Sequence, residues 1–240
     1  MDIVLVPGFW LDASSWEGVT PALAAAGHRV HPLTLPGLES VDADRSGITL
    51  ADHVAAVVAA VDTVPAGEPV VLVAHSGGAA PVHGAIDARP DRVAHAIYVD
   101  CVPLGDGDAV NRDLPEVDGE IPLPDWSIFD DADLVGLDDD LRAAFRARAI
   151  PEPVGPAFDG LALHDDRRYD VPITVVACEF GSALIQEWID AKHPFVAELA
   201  HVRSRAFVDL PTGHWPQFSR PADLGDALAS IVAGAGGSSA

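Results

Sequence analysis

Short apolar runs alternate along the chain with stretches whose apolar residues recur at helical spacing, a pattern that predicts a mostly parallel sheet with helices on both faces. Ile3–Val6 reads as a first buried strand ending at Pro7-Gly8. Ser14-Ser15 can cap a helix through Trp16, Val19 and Leu23 that Gly27 stops. His28–Leu35 reads as the next strand. Thr49-x-x-Asp52 has the form of a capping box, and Leu50, Val54, Val57, Val58 and Val61 follow at helical spacing. Pro69–Ala74 is uniformly apolar and valine-rich, as a central parallel strand should be. Gly77–Arg89 then reads as helix, with Pro81 removing one early hydrogen bond, and Arg92–Asp100 as strand.

The alternation breaks from Pro103 to Asp170, where Pro, Gly and Asp accumulate around short helical pieces such as Leu141–Arg148. Between Asp106 and Asp140 there are thirteen acidic residues and one arginine, Arg112. So long a stretch is not a loop within a compact domain. It predicts an insertion, 103–170, lying as a lid over the strand ends. The alternation resumes with strand Ile173–Cys178, helix Ser182–Ala191, strand Arg205–Leu210 and a last helix presenting Leu224, Leu228, Ile231 and Val232. The expected organisation is one core built from 1–102 and 171–233, the inserted lid, and a disordered tail over 234–240.

Composition narrows the function classes. A chain of 240 residues with 49% hydrophobic content can bury a large core without disulfide or metal support. Cys101 and Cys178 fall at predicted strands and read as small core residues. The net charge of −23, with Lys192 as sole lysine, speaks against nucleic acid and anionic membranes as partners, since both demand clustered cations. No signal peptide and no membrane span is expected, which points to the cytoplasm.

Three short segments carry chemistry. In Val71-Leu72-Val73-Ala74-His75-Ser76-Gly77-Gly78 a buried strand runs into a serine and then a helix. That is the setting of the nucleophile elbow, G-x-S-x-G, with Ala74 standing in the first glycine position. The sharp turn lifts the Ser76 hydroxyl to the carboxyl edge of the sheet, where α/β folds place their sites. A serine hydroxyl needs an adjacent base, and imidazole suits that task at neutral pH. Among ten histidines, His214 in Pro211-Thr212-Gly213-His214-Trp215 follows a strand at the same edge. His75 adjoins the serine, but neighbouring side chains at a strand end point to opposite sides, so it should pack away from the hydroxyl. Val6-Pro7-Gly8-Phe9-Trp10 follows the first strand, where such folds place a backbone donor for an oxyanion. The amides of Phe9 and Gly77 are the candidate pair, and Trp10 and Trp215 are candidate pocket walls. An acid must accept the far N–H of the histidine. Asp100 and Glu179 both end strands at the correct edge, and both precede His214.

Pro7-Gly8-Phe9-Trp10, Ala74-His75-Ser76-Gly77-Gly78 and Gly213-His214-Trp215-Pro216 together resemble the α/β-hydrolase superfamily over about residues 2–232. Asp2–Pro36 and Gly213–Pro221 look most like its small esterase and hydroxynitrile-lyase branch, although Pro7 replaces the histidine often found before the oxyanion glycine. The resemblance implies an α/β-hydrolase fold and leaves the expected lid, 103–170, unmatched. It also favours Asp100 over Glu179, because Asp100 matches the acid position of the haloalkane-dehalogenase and some lipase branches. The reaction it implies is hydrolysis of a carboxylic ester through an acyl-enzyme, and the acidic lid makes a small, mostly uncharged substrate the expectation. Lyase, lactone or C–C bond chemistry, and ligand binding without catalysis, are the alternatives on the same scaffold. The lyase relatives usually place a lysine in the site, whereas Lys192 sits on a predicted surface helix. No cofactor or metal is expected, since neither a dinucleotide loop nor a His/Cys cluster occurs. The partner is a small-molecule substrate, acted on by a monomer or homodimer.

Overall fold

Residues 1–236 are described by a computed structural model. Its strands are β1 (Asp2–Val6), β2 (Arg29–Pro32), β3 (Val70–His75), β4 (Val93–Val99), β5 (Glu120–Ile121), β6 (Glu152–Pro153), β7 (Ile173–Ala177) and β8 (Arg205–Asp209). The α-helices are α1 (Thr20–Ala25), α2 (Leu50–Thr63), α3 (Ala79–Ala88), α4 (Asp139–Arg148), α5 (Val154–Phe158), α6 (Ser182–Asp190), α7 (Ala197–His201), α8 (Pro216–Ser219) and α9 (Pro221–Gly236). Six strands form one sheet in the order β2-β1-β3-β4-β7-β8, every pair parallel. β5 and β6 pair separately and antiparallel.

Alternation along the strands explains the layers. Ile3, Leu5, Val71, Val73, Ile97, Val99 and Val176 pack with Trp16, Val19, Leu23 and the α9 residues Leu224, Leu228 and Val232. Val4, Val6, Leu72, Ala74, Ala96, Tyr98 and Val175 face the other way, onto apolar residues of α2, α3 and α6. Both faces are covered, which is why these strands read as unbroken apolar runs. Chain order reverses between β1 and β3: the chain first steps out to β2, then crosses to β3 and continues away. Ligands of such sheets sit at that reversal, beyond the carboxyl ends of the strands.

Local details depart from the expectations at element ends. Asp12, not Ser14-Ser15, caps the first helical turn, its Oδ1 accepting from the Ser14 N–H at 2.9 Å. That turn is a 3-10 piece, Ala13–Trp16, and α1 begins only at Thr20. The second strand is shorter than His28–Leu35, closing at Pro32, whose ring removes an N–H from the ladder. The Thr49–Asp52 capping box is present in full. The helix after Ser76 opens with a 3-10 turn, and Pro81 falls in the first turn of α3, where no helical N–H is missed. α9 continues through Gly234–Gly236, three residues into the expected tail, and residues 237–240 lie outside those described.

Residues 103–170 leave the sheet after β4 and rejoin it before β7. They contain β5, α4, β6 and α5 and carry most of a third apolar cluster, in which Ile121, Leu123, Leu134, Phe145 and Ala157 meet Trp10 and Trp215. Among the described residues no helix is long and apolar enough to cross a membrane.

Candidate active site

Ser76 sits directly after β3 with φ at +49°, a left-handed conformation that costs a non-glycine residue energy and persists only where the surroundings enforce it. The neighbouring glycines supply that enforcement. A Cβ on Gly78 would stand 2.6 Å from the Pro7 carbonyl oxygen, and one on Gly8 would stand 2.8 Å from the Ser76 Cβ. The β1 and β3 turns therefore touch, backbone to backbone at Gly78 and backbone to side chain at Gly8, and only glycine fits at either contact.

His214 reaches this turn from the loop after β8. Its Nε2 lies 2.7 Å from the Ser76 Oγ and its Nδ1 lies 2.8 Å from the Asp100 Oδ2. With the Nδ1–H donated to the carboxylate, Nε2 is left to accept from the hydroxyl, an assignment that follows from the bonding pattern. Asp100 also has positive φ, +49°, at the turn ending β4. Its Oδ1 accepts from the backbone N–H of Cys178 at 3.2 Å and of Glu179 at 2.9 Å. Burial opposes ionisation of Asp100, but the hydrogen bond and charge of His214 and the Glu179 N–H outweigh it, holding the carboxyl below its ordinary range.

Of the two candidate acids, then, Asp100 is the one joined to His214. Glu179 contributes its backbone N–H to that aspartate, while its own carboxyl is pushed up to about 8 by burial and by the adjacent Asp133 and Asp100. Asp100, Glu179 and His214 also form the one group among the described residues with metal-ligand spacing, within 4.8 Å of one another. Both His214 nitrogens are already bonded, to Asp100 and Ser76, so a cation there would have to displace one of those bonds.

The backbone around His214 is tied to residues that sequence reasoning did not pick out. The His214 N–H donates to the Asp133 carbonyl at 2.8 Å and the Gly213 N–H to the Val135 carbonyl at 3.1 Å. A Cβ on Gly213 would lie 2.2 Å from the Asp133 oxygen, which explains the glycine before the histidine. His75 is the second addition. Both its ring nitrogens bond groups other than the serine hydroxyl: its Nε2 is 2.7 Å from the His214 carbonyl oxygen and its Nδ1 is 3.0 Å from Gln217 Nε2. Complete burial, then the neighbouring His214, depress its pKa to about 3, so it is a neutral donor to that carbonyl. Nothing in the local sequence signals this contact across 139 positions.

The Phe9–Trp10 loop lies against the same turn, since a Cβ on Gly77 would stand 2.5 Å from the Phe9 ring. Trp10, at φ +65°, gives its N–H to Glu152 Oε2 at 3.3 Å and takes the Ile150 N–H on its carbonyl at 3.0 Å. Among the described residues the Phe9 N–H has no hydrogen-bond partner.

A cavity of about 440 Å³ opens on Ser76, Gly77, Asp100 and His214. Its apolar wall includes Leu104, Ile185, Trp188 and Phe195. Trp10 and Trp215 do not line it, contrary to expectation. Both are nearly fully buried: Trp10 donates its indole N–H to the Ile121 carbonyl at 3.0 Å, and Trp215 packs edge-on against Trp126, Phe129 and Phe145. Cys101 lines the cavity and Cys178 is buried; both are free thiols. Lys192 is exposed beyond α6 and is not among the lining residues.

A model of the alpha/beta hydrolase family matches residues 3–227, so the chain belongs to the α/β-hydrolase family. A pyrethroid hydrolase of Sphingobium wenxiniae is 26% identical over 246 residues, covering 96% of this chain and 87% of that one. Methylesterase 8 of Arabidopsis thaliana is 33% identical over 97 residues, 40% of this chain and 36% of that one. Among solved structures, an extracellular alpha/beta-hydrolase from a Paenibacillus species superposes with a TM-score of 0.75 at 20% identity over 98% of both chains. Family membership and these relatives make the chain an enzyme of the α/β-hydrolase class.

Proposed function

We propose that the protein is a serine esterase that cleaves a small, uncharged carboxylic ester through an acyl-enzyme. The observation that carries this reading is the continuous hydrogen-bonded line Ser76 Oγ–His214 Nε2 at 2.7 Å and His214 Nδ1–Asp100 Oδ2 at 2.8 Å, facing a cavity. Ser76 attacks the acyl carbon while His214 takes the hydroxyl proton, and Asp100 holds the imidazole tautomer and stabilises the imidazolium. The Phe9 and Gly77 amides receive the tetrahedral oxyanion. His214 then returns the proton to the leaving alkoxide, and a water activated by the same imidazole releases the acid. The matched relatives support the substrate class, being a pyrethroid hydrolase and a methylesterase. In this reading residues 103–170 act as a lid: Leu104, Asp108, Val110 and Asp133 from that stretch wall the cavity. The lyase alternative lacks its lysine here, as Lys192 stands outside the cavity lining. The enzyme works without a cofactor on a small-molecule partner, as a monomer or homodimer, in the cytoplasm, where two free thiols are at home.

A fluorophosphonate probe tests the assignment. Wild-type protein should gain one covalent adduct on Ser76, and Ser76→Ala should gain none while keeping its far-UV spectrum. Equal labelling of the variant would remove Ser76 from the mechanism.

A further inference from the structure

One wall of the cavity carries a charged group for which the proposed chemistry has no use. Glu198, on α7, lines the cavity although its side chain is only 8% exposed. Its two oxygens are unequally served. Oε1 accepts from Arg168 Nε at 2.8 Å and bonds His83 Nε2 at 3.0 Å, whereas Oε2 has only the Tyr169 hydroxyl, at 3.3 Å. Oε2 faces the Gly105 backbone, lying 3.8 Å from where a Cβ on that glycine would stand, and Gly105 lines the same cavity.

The group is built to stay charged and fixed. Burial works against the charge, but the hydrogen bonds from His83 and Arg168 hold its pKa at about 2. His83 is fixed in turn by the Tyr98 hydroxyl at 3.0 Å, and Arg168 pairs with Asp87 at 3.4 Å. Tyr98 stands on β4 two residues before Asp100, so the carboxylate is braced against the strand that holds the proposed acid. A carboxylate oxygen can accept two hydrogen bonds, and a buried one left short of donors carries a desolvation cost that a further donor relieves. Leu104 and Ile185, on the lining of the same cavity, carry no side-chain donor.

We propose that Glu198 is a specificity-determining residue whose Oε2 accepts a hydrogen bond from a substrate hydroxyl, so that the site selects hydroxyl-bearing esters over their methyl-capped isosteres. The inference rests on the esterase reading of the same site and adds the feature of the substrate that is recognised. Discrimination arises because a methyl group in that place gives Oε2 no donor beyond the Tyr169 hydroxyl.

Matched ester pairs differing only by a terminal hydroxyl or methyl test it. One series carries the group on the acyl chain, as p-nitrophenyl ω-hydroxyalkanoates against alkanoates of equal length. The other carries it on the alcohol, as monoacetates of diols against acetates of alkanols. In at least one series wild-type kcat/KM should favour the hydroxyl by about tenfold, mainly through KM, as a hydrogen bond to a charged group allows. Glu198→Gln, which keeps shape but loses the charge, should shrink that ratio several-fold, raising KM for the hydroxyl esters more than for their methyl-capped partners. No preference in either wild-type series overturns the proposal, whether or not the variant folds. A parallel loss on both members of each pair in Glu198→Gln, with a lowered Tm, also overturns it and leaves Glu198 a structural staple. Failure of the esterase reading looks different, since no ester in either series would then be turned over, and both readings would fall together.

Discussion

The sheet and the 103–170 excursion solve the same problem, covering apolar surface, by unlike means. In the sheet, residues two apart share a face, and each face meets helices whose apolar residues recur three and four apart. Packing there is periodic, and the periodicity is written in neighbouring residues. In the excursion the cover is a knot of aromatic rings: Phe145 lies 5.5 Å from both Trp126 and Trp215 and 5.0 Å from Phe218. Trp215 and Phe218 belong to the loop and helix following His214, so this knot holds the excursion to the segment that delivers the imidazole. The sheet sets where Ser76 and Asp100 stand, and the excursion packs against the segment that carries His214.

The largest effect should come from the groups the sheet positions. Asp100→Asn removes the acceptor that fixes the His214 tautomer and should lower kcat by about a thousandfold to ten-thousandfold. Glu179→Gln keeps the backbone N–H that serves Asp100 and should cost little by comparison. Steady-state ester hydrolysis by both variants makes the comparison, and a larger loss in Glu179→Gln would move the acid to Glu179.

Much of the sheet half was legible because its signals are local. Ile3–Val6, Pro69–Ala74 and the Ser76-Gly77-Gly78 turn each declare themselves within a few residues. His214 could be singled out by its place after the last strand. The preference for Asp100 came from a resemblance, because Asp100 and Glu179 end adjacent strands and differ only in which carboxylate turns toward the imidazole. His75, Asp133 and Glu198 were invisible for a related reason. Their partners lie 139, 81 and 115 positions away, distances over which no period or motif carries information. The tryptophans show the opposite failure. Trp10 and Trp215 flank the predicted site in sequence, yet their bulk is absorbed by the aromatic knot and not by the cavity.

Phe145→Ala should break the comparison from the other side. Phe145 is fully buried, and its truncation should cost about 3–5 kcal/mol through lost burial and the cavity left behind. The damage should be uneven. Amides of residues 103–170 and of the His214 loop should lose hydrogen-exchange protection, while those of β3 and β4 keep theirs. Uniform loss across β3, β4 and the excursion would mean that the two halves unfold as one unit.

An effect that vanishes at low pH sharpens the contact between the halves. Glu152, on β6, is 1% exposed and its Oε2 accepts the Trp10 N–H at 3.3 Å. Burial pushes its carboxyl up to about 8 against the opposing pull of the Trp10 N–H and Arg45. An unfolded chain ionises this group near its ordinary value of 4.5, while the folded chain keeps the proton until about 8. Below the lower value both states are protonated and the group leaves stability unchanged. Between the two values folding must take up a proton, so stability falls as pH rises, and it levels off once the folded-state carboxyl ionises as well. Glu152→Gln cannot ionise and keeps an amide oxygen for the Trp10 N–H. It should therefore match the wild type near pH 4 and exceed it near pH 9, in urea midpoints measured at both. Every other titrating group is common to the two proteins and cancels from the difference. A constant offset across the range, or a less stable variant at the alkaline end, would show that Glu152 is ionised in the fold and that the excursion grips the Phe9–Trp10 loop through charge.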